Sequence, residues 1–180
     1  MKKTDISKNK NKIIINEIKF GKIFIYPTDT IYGIGCDATN KRAVKKIKKI
    51  KKRDKNKPLS IIAPSKKWIK ENFITDYNIS KYLPGPYTLI LKKKNPNFLN
   101  HISKTDSIGI RIPNNNFTKV IQKSNLPFVT TSVNLAGETP IKNTNEIPEK
   151  IKYKINYIID RGPLTGRPST LIIDGKKVER

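Results

Sequence analysis

Seven short apolar runs punctuate this chain and restrict it to one kind of architecture. They are KIFIY at 22–26, PLSIIA at 58–63, YTLILK at 87–92, IGIRI at 108–112, PFVTT at 127–131, NYIID at 156–160 and TLIID at 170–174. Each is too short for a helix, and most lie beside turn-forming residues, so they read as strands. Helical patterns fall between them. Ala43, Val44, Ile47 and Ile50 recur at helical spacing over 41–52, with Asn40 placed to cap. Further helices are expected at 13–20, at 66–83 up to the breaker Pro84-Gly85-Pro86, at 115–124 and at 144–154. Strands alternating with helices predict a mixed α/β domain. With 180 residues, no fixed-period repeat and no linker, residues 13–180 read as a single domain behind a flexible basic N-terminus, 1–12.

The net charge of +24 invites a polyanionic partner. Only Arg42, Arg53, Arg111, Arg161, Arg167 and Arg180 are arginines, however, and lysine, asparagine and isoleucine are abundant together along the whole chain. A surface selected for phosphate would keep more of the bidentate cation, so most lysines read as a solvated surface and the few arginines attract the interest. The one cysteine, Cys36, cannot form an internal disulfide, and no run approaches the roughly 20 apolar residues of a membrane helix. A cytoplasmic protein is expected.

Several chemistries can be set aside. Gly33-x-Gly35-x-x-Ala38 matches a dinucleotide fingerprint on paper. Pro27-Thr28-Asp29-Thr30 separates it from the strand, though, and the next strand ends in Ala-Pro-Ser without a ribose-binding carboxylate. No P-loop motif is present. His101 reads as an exposed side chain and Cys36 as a small buried residue, leaving no basis for a zinc cluster or a histidine-dependent triad. Hydroxyls, amides and cations remain, the groups that orient substrates and neutralise anions in phosphoryl and nucleotidyl transfer.

Three clusters carry such groups. Lys51-Lys52-Arg53-Asp54-Lys55-Asn56-Lys57 either matches a helix dipole or grips a triphosphate. Thr130-Thr131-Ser132-Val133-Asn134 either lines a cleft at a strand end or closes a turn. Thr28, Asp29 and Thr30 either orient a small polar substrate or bond their own loop.

Taken in order, PTDTIYGIG, KKRDKNKPLS, GPYTLIL, IGIRIP, TSVNLAGE and PSTLIID resemble the threonylcarbamoyl-AMP synthases, the YrdC/TsaC family. The match runs from about Lys22 to Arg180. The resemblance implies an open twisted mixed sheet flanked by helices around a concave basic cleft. It implies the condensation of L-threonine, bicarbonate and ATP to threonylcarbamoyl-adenylate and pyrophosphate, the precursor of the t6A modification of tRNA. It implies ATP contacts from Lys51, Arg53, Lys57, Ser132, Asn134 and Arg180, and threonine contacts from Thr30, Arg111 and Ser169. No covalent nucleophile is implied. Mg2+ would ride on the ATP phosphates, and proteins that transfer the threonylcarbamoyl group would be partners, with tRNA a further one. The chain departs from the family in having Lys52-Arg53-Asp54 where Gly-Arg-Pro is usual, and Val133 where alanine is common. Two rivals share the fold: a non-catalytic module for double-stranded RNA or tRNA, and an adenylate-forming enzyme for another amino acid.

Overall fold

Strands buried on both faces organise the molecule. The computed structural model describes residues 2–4, 10–52, 54, 56–135 and 137–178. In chain order the elements are β1 (Lys2–Thr4), α1 (Asn11–Lys19), β2 (Phe24–Tyr26), β3 (Gly33–Gly35), α2 (Lys41–Ile50), β4 (Ser60–Ile62), α3 (Lys66–Asn72) and β5 (Tyr87–Lys92). They continue with β6 (Ser107–Arg111), α4 (Asn116–Ser124), β7 (Phe128–Ser132), α5 (Glu149–Lys152), β8 (Tyr157–Ile159), β9 (Thr170–Ile173) and β10 (Lys176–Val178). The strands join in the order β1-β8-β2-β3-β7-β4-β6-β5-β9-β10, an open mixed sheet.

Successive side chains on a strand point to opposite faces, and here both faces are apolar. Phe24, Tyr26, Ile62, Phe128 and Ile159 point toward α1 and α4, where Phe117, Val120, Ile14 and Ile18 meet them. Ile23, Ile25, Ile61, Val129 and Ile158 point the other way, into a larger core with Val44, Ile47, Ile69 and Ile151 from α2, α3 and α5. The runs were therefore legible as strands because both faces needed apolar residues. No helix among the described residues is long and apolar enough to cross a membrane.

Four expectations need revision. Lys2–Thr4, assigned from sequence to a flexible terminus, pair in parallel with β8. Gly33–Gly35, outside every run read as a strand, is a strand between β2 and β7. The helix expected over 66–83 stops at Asn72, because Phe73 turns extended, bridges to Lys93 and packs its ring on Trp68 and Phe98. The helix expected over 144–154 is a 3-10 turn at Thr144–Glu146 followed by α5; Pro148 separates the two, lacking the N–H that a continuous helix would use. Lys93 also departs from the solvated-lysine pattern. It is buried, and its ammonium donates to Pro96 O, Asn100 Oδ1 and Ser103 O, closing the loop between β5 and β6.

Asn40 caps α2 as expected, its side-chain oxygen accepting the Ala43 N–H at 3.0 Å. Asn40→Ala should lower stability by about 1 kcal/mol and the melting temperature by a few degrees. An unchanged thermal midpoint would show that the cap contributes nothing.

Candidate active site

The strand order collects polar residues that lie far apart in sequence. Gly33 on β3, Thr130–Ser132 on β7, Ser60 on β4, Arg111 on β6, Thr88 on β5 and Ser169 just before β9 all line one cavity of about 190 Å³. These six strands are consecutive neighbours in the sheet. Seven of the lining residues are serine or threonine, and among the described lining residues Arg111 carries the only charge. Such a cavity suits a small ligand bearing one anionic group and several hydrogen-bonding atoms. Its volume lies below the roughly 300–1,000 Å³ of drug-sized sites.

The loop between β2 and β3 sets the charged corner. Arg111, 6% exposed, donates from Nη2 to Asp29 Oδ1 at 2.9 Å and to Thr30 Oγ1 at 3.2 Å. Asp29 accepts the Asn114 N–H on its other oxygen, at 2.9 Å. The Thr28 hydroxyl lies 2.9 Å from that of Thr30 and donates to Ile31 O at 2.7 Å, so the Thr30 proton points to Thr28. A directed chain results: guanidinium to Thr30, Thr30 to Thr28, Thr28 to backbone. Bonds in such a chain polarise one another. Thr28 lines the cavity; Thr30 is not among the lining residues and stands behind it as the link to Arg111. The glycines that follow approach protein atoms. A side chain at Gly33 would crowd the Tyr26 ring, and one at Gly35 would fall on the Val129 carbonyl oxygen.

The lysine of the first cluster and the Ser-x-Asn tripeptide form one unit. Lys51, 2% exposed at the end of α2, donates from Nζ to Ser132 O, to Asn134 O at 3.1 Å and to Asn134 Oδ1 at 2.8 Å. Ser132 Oγ donates to Asn134 Oδ1 at 2.6 Å, and Asn134 Nδ2 donates to Glu138 O at 2.6 Å. Lys51 thus shapes the turn after β7, which presents Ser132 to the cavity. Ser169 is buried with its hydroxyl 2.7 Å from that of Thr88. Lys57 is exposed on the loop before β4. Arg53 and Arg180 lie outside the described residues.

Of the residues expected from sequence, Arg111, Ser132 and Ser169 line the cavity, while Lys51, Asn134 and Thr30 support it. Ser60 and Thr88 were not anticipated; a lone hydroxyl inside an apolar strand run gives no separate signal. Two side readings also resolve. His101 is half-buried rather than exposed, its Nε2 lying 2.7 Å from Ala38 O. Burial, helped by neighbouring Asp37, pushes the Cys36 thiol far up, so it stays an inert core group.

Comparison with known proteins identifies the family. The Sua5/YciO/YrdC family model, described as telomere recombination, matches residues 16–179. A relative from Methanocaldococcus jannaschii, provisionally named threonylcarbamoyl-AMP synthase, is 42% identical over 161 residues, covering 87% of this chain and 76% of its own. The threonylcarbamoyl-AMP synthase of Vibrio campbellii is 29% identical over 164 residues, covering 86% and 87%. P. abyssi Sua5, solved in complex with L-threonine, superposes with a TM-score of 0.82 at 28% identity over 97% of this chain, which spans 53% of that longer protein. E. coli YciO shares the fold, with a TM-score of 0.82 at 23% identity over 98% of this chain and 90% of its own. The chain belongs to the Sua5/YciO/YrdC family.

Proposed function

We propose that this protein is a threonylcarbamoyl-AMP synthase, joining L-threonine, bicarbonate and ATP into threonylcarbamoyl-adenylate and pyrophosphate for the t6A modification of tRNA. The observation that carries the reading is one guanidinium, Arg111, facing seven hydroxyl side chains in an amino-acid-sized cavity. The names of the relatives and the L-threonine bound to P. abyssi Sua5 point the same way.

The chemistry asks little covalent work of the protein. Threonine's amine and bicarbonate give a carbamate and water. A carbamate oxygen then attacks the α-phosphorus of ATP, forming an O–P bond as pyrophosphate leaves. The protein has to hold two anions together and offset their repulsion. In this reading Arg111 pairs with the threonine carboxylate, Thr28 and Thr30 fix that corner, and Ser169 closes the far wall. Ser132 and Asn134, held by Lys51, face the nucleotide, and Arg53, Lys57 and Arg180 are assigned to it as further contacts. Magnesium enters as part of the Mg–ATP substrate and keeps much of its water. Among the described residues, no group of three His, Cys, Asp or Glu side chains offers it a protein cage. The product passes to transfer proteins acting on tRNA in the cytoplasm.

The test is pyrophosphate release from Mg–ATP by the purified protein, with and without L-threonine and bicarbonate. Release that needs both supports the synthase. Release driven equally by serine points to another amino-acid adenylate. No release from folded protein, together with RNA binding that falls steeply with salt, would move the reading to an RNA-binding module.

A further inference from the structure

Between β8 and β9 the chain runs for ten residues, 160–169, without helix or strand. It is nevertheless ordered in its burial. Asp160, Gly162, Leu164 and Gly166 are half-buried, while Arg161, Pro163, Thr165 and Arg167 are exposed. Gly162 bends the chain with a left-handed φ of 76°, and beyond it the alternation belongs to an extended strap lying on a surface. The strap ends at Pro168 and Ser169, which form part of the cavity wall. On its way it crosses the loop that fixes Arg111. Gly166 sits so close to Thr30 that a side chain there would overlap the Thr30 backbone.

Hydrogen bonds hold the strap at three points. At its end, the Ser169 hydroxyl meets Thr88. In its middle, the Leu164 N–H donates to Lys142 O at 2.8 Å. At its start, everything converges on the phenol of Tyr32. The Tyr32 hydroxyl donates to Gly162 O at 2.8 Å, accepts the Arg161 N–H at 3.0 Å and lies 3.1 Å from Asp160 Oδ1. Asp160 is itself braced, accepting from the Gly162 N–H at 3.0 Å and from Thr144 Oγ1 at 2.9 Å.

Tyr32 is suited to this place. Tyr32 is fully buried and is one of the residues lining the cavity, while its hydroxyl engages the strap backbone as donor and acceptor at once. Burial raises the phenol above its ordinary value, so the proton stays on the oxygen through the physiological range. The same residue therefore meets both the ligand space and the strap.

We infer that Tyr32 is a positioning residue: its hydroxyl latches the 160–169 strap over the Thr30–Arg111 corner, and the latched strap completes the pocket for the amino-acid substrate. The inference rests on the synthase reading for the identity of that substrate. The latch itself does not. Strap closure would exclude water from the corner where the guanidinium meets a carboxylate, which strengthens that pairing.

Tyr32→Phe keeps the ring and removes the latch, and Gly166→Ala keeps the latch and lifts the strap from Thr30. Hydrogen exchange of the strap amides, measured without ligand, is expected to quicken at least roughly tenfold in Tyr32→Phe, which removes the phenol's bonds to Gly162 O and to the Arg161 N–H. In turnover, both variants are expected to raise KM for threonine about tenfold while KM for ATP moves by less than about twofold. Unchanged strap exchange in Tyr32→Phe overturns the latch whatever the protein catalyses. Quickened exchange with threonine KM unchanged in both variants overturns the positioning role, leaving Tyr32 a purely structural residue. If the wild-type protein shows no threonine-dependent turnover, the synthase reading fails and the substrate half of the inference fails with it. The exchange measurement still decides the latch.

Discussion

Replacing Arg111 with methionine should reduce threonine-dependent pyrophosphate release by about ten- to a hundredfold, because a charge-assisted bond to a substrate carboxylate contributes roughly 1.5–3 kcal/mol. The same change should also weaken the fold, and the two effects can be separated. The Arg111 and Asp29 side chains are only 8% and 13% exposed, and they meet at 2.9 Å. Removing the guanidinium leaves the Asp29 carboxylate with the Asn114 N–H as its remaining recorded partner, in a place water reaches poorly. Breaking a buried pair from one side typically costs about 3–5 kcal/mol, and the residual exposure puts this case toward the lower end.

A second change discriminates between these losses. Asp29→Asn in the Arg111→Met background removes the stranded charge and keeps the shape. Most of the lost stability should return, measured by denaturant midpoint, while activity should not. Should Arg111→Met keep its threonine KM within about twofold, the guanidinium is not the carboxylate anchor and the proposed site is wrong. Recovery of activity along with stability in the double variant would have the same meaning.

Physical causes explain which parts of this arrangement were legible from sequence. Strands such as KIFIY and PLSIIA announce themselves because both of their faces need apolar side chains. β3 did not, since two of its three residues are glycines, which carry no side-chain pattern; they are there because Tyr26 and Val129 leave no room for more. The helix expected over 66–83 failed at Phe73, whose ring neighbour Phe98 and bridge partner Lys93 both lie well along the chain. Tertiary contacts of that kind override local propensity without leaving a local trace.

The site divides in the same way. Arg111, Ser132 and Ser169 stood inside recognisable segments, and each reaches the cavity. Ser60 and Thr88 did not stand out, because only strand order places them beside one another: both flank Gly109 on β6, and each would touch a side chain there. Lysine identity was the least informative signal. In a chain with 38 basic residues, nothing local distinguishes Lys93, which holds buried carbonyls, from its many exposed neighbours, and Lys51 stood out only through its family motif.

Lys51 provides the second large effect. Lys51→Met preserves the length and apolar stem of the side chain but leaves Ser132 O, Asn134 O and Asn134 Oδ1 without the ammonium that joins them. Asn134 Oδ1 keeps the Ser132 hydroxyl, but the two carbonyl oxygens lose this donor, and an unsatisfied buried acceptor costs about 1–3 kcal/mol, so a loss of about 2–3 kcal/mol is expected once the turn readjusts. Relaxation of the turn would also displace Ser132, which lines the cavity. KM for ATP should therefore rise by roughly tenfold or more, with a smaller change for threonine. Arginine should not rescue the variant, because three acceptors converge on one nitrogen and a planar guanidinium fork cannot reproduce that geometry. If Lys51 acts through the turn, its loss and that of the Ser132 hydroxyl report the same damage. Ser132→Ala should then cost far less in the Lys51→Met background than alone, a coupling well outside the additive range for independent sites. Additive costs, together with full rescue by arginine, would instead mean that Lys51 meets the nucleotide directly as a cation and that the turn stands without it.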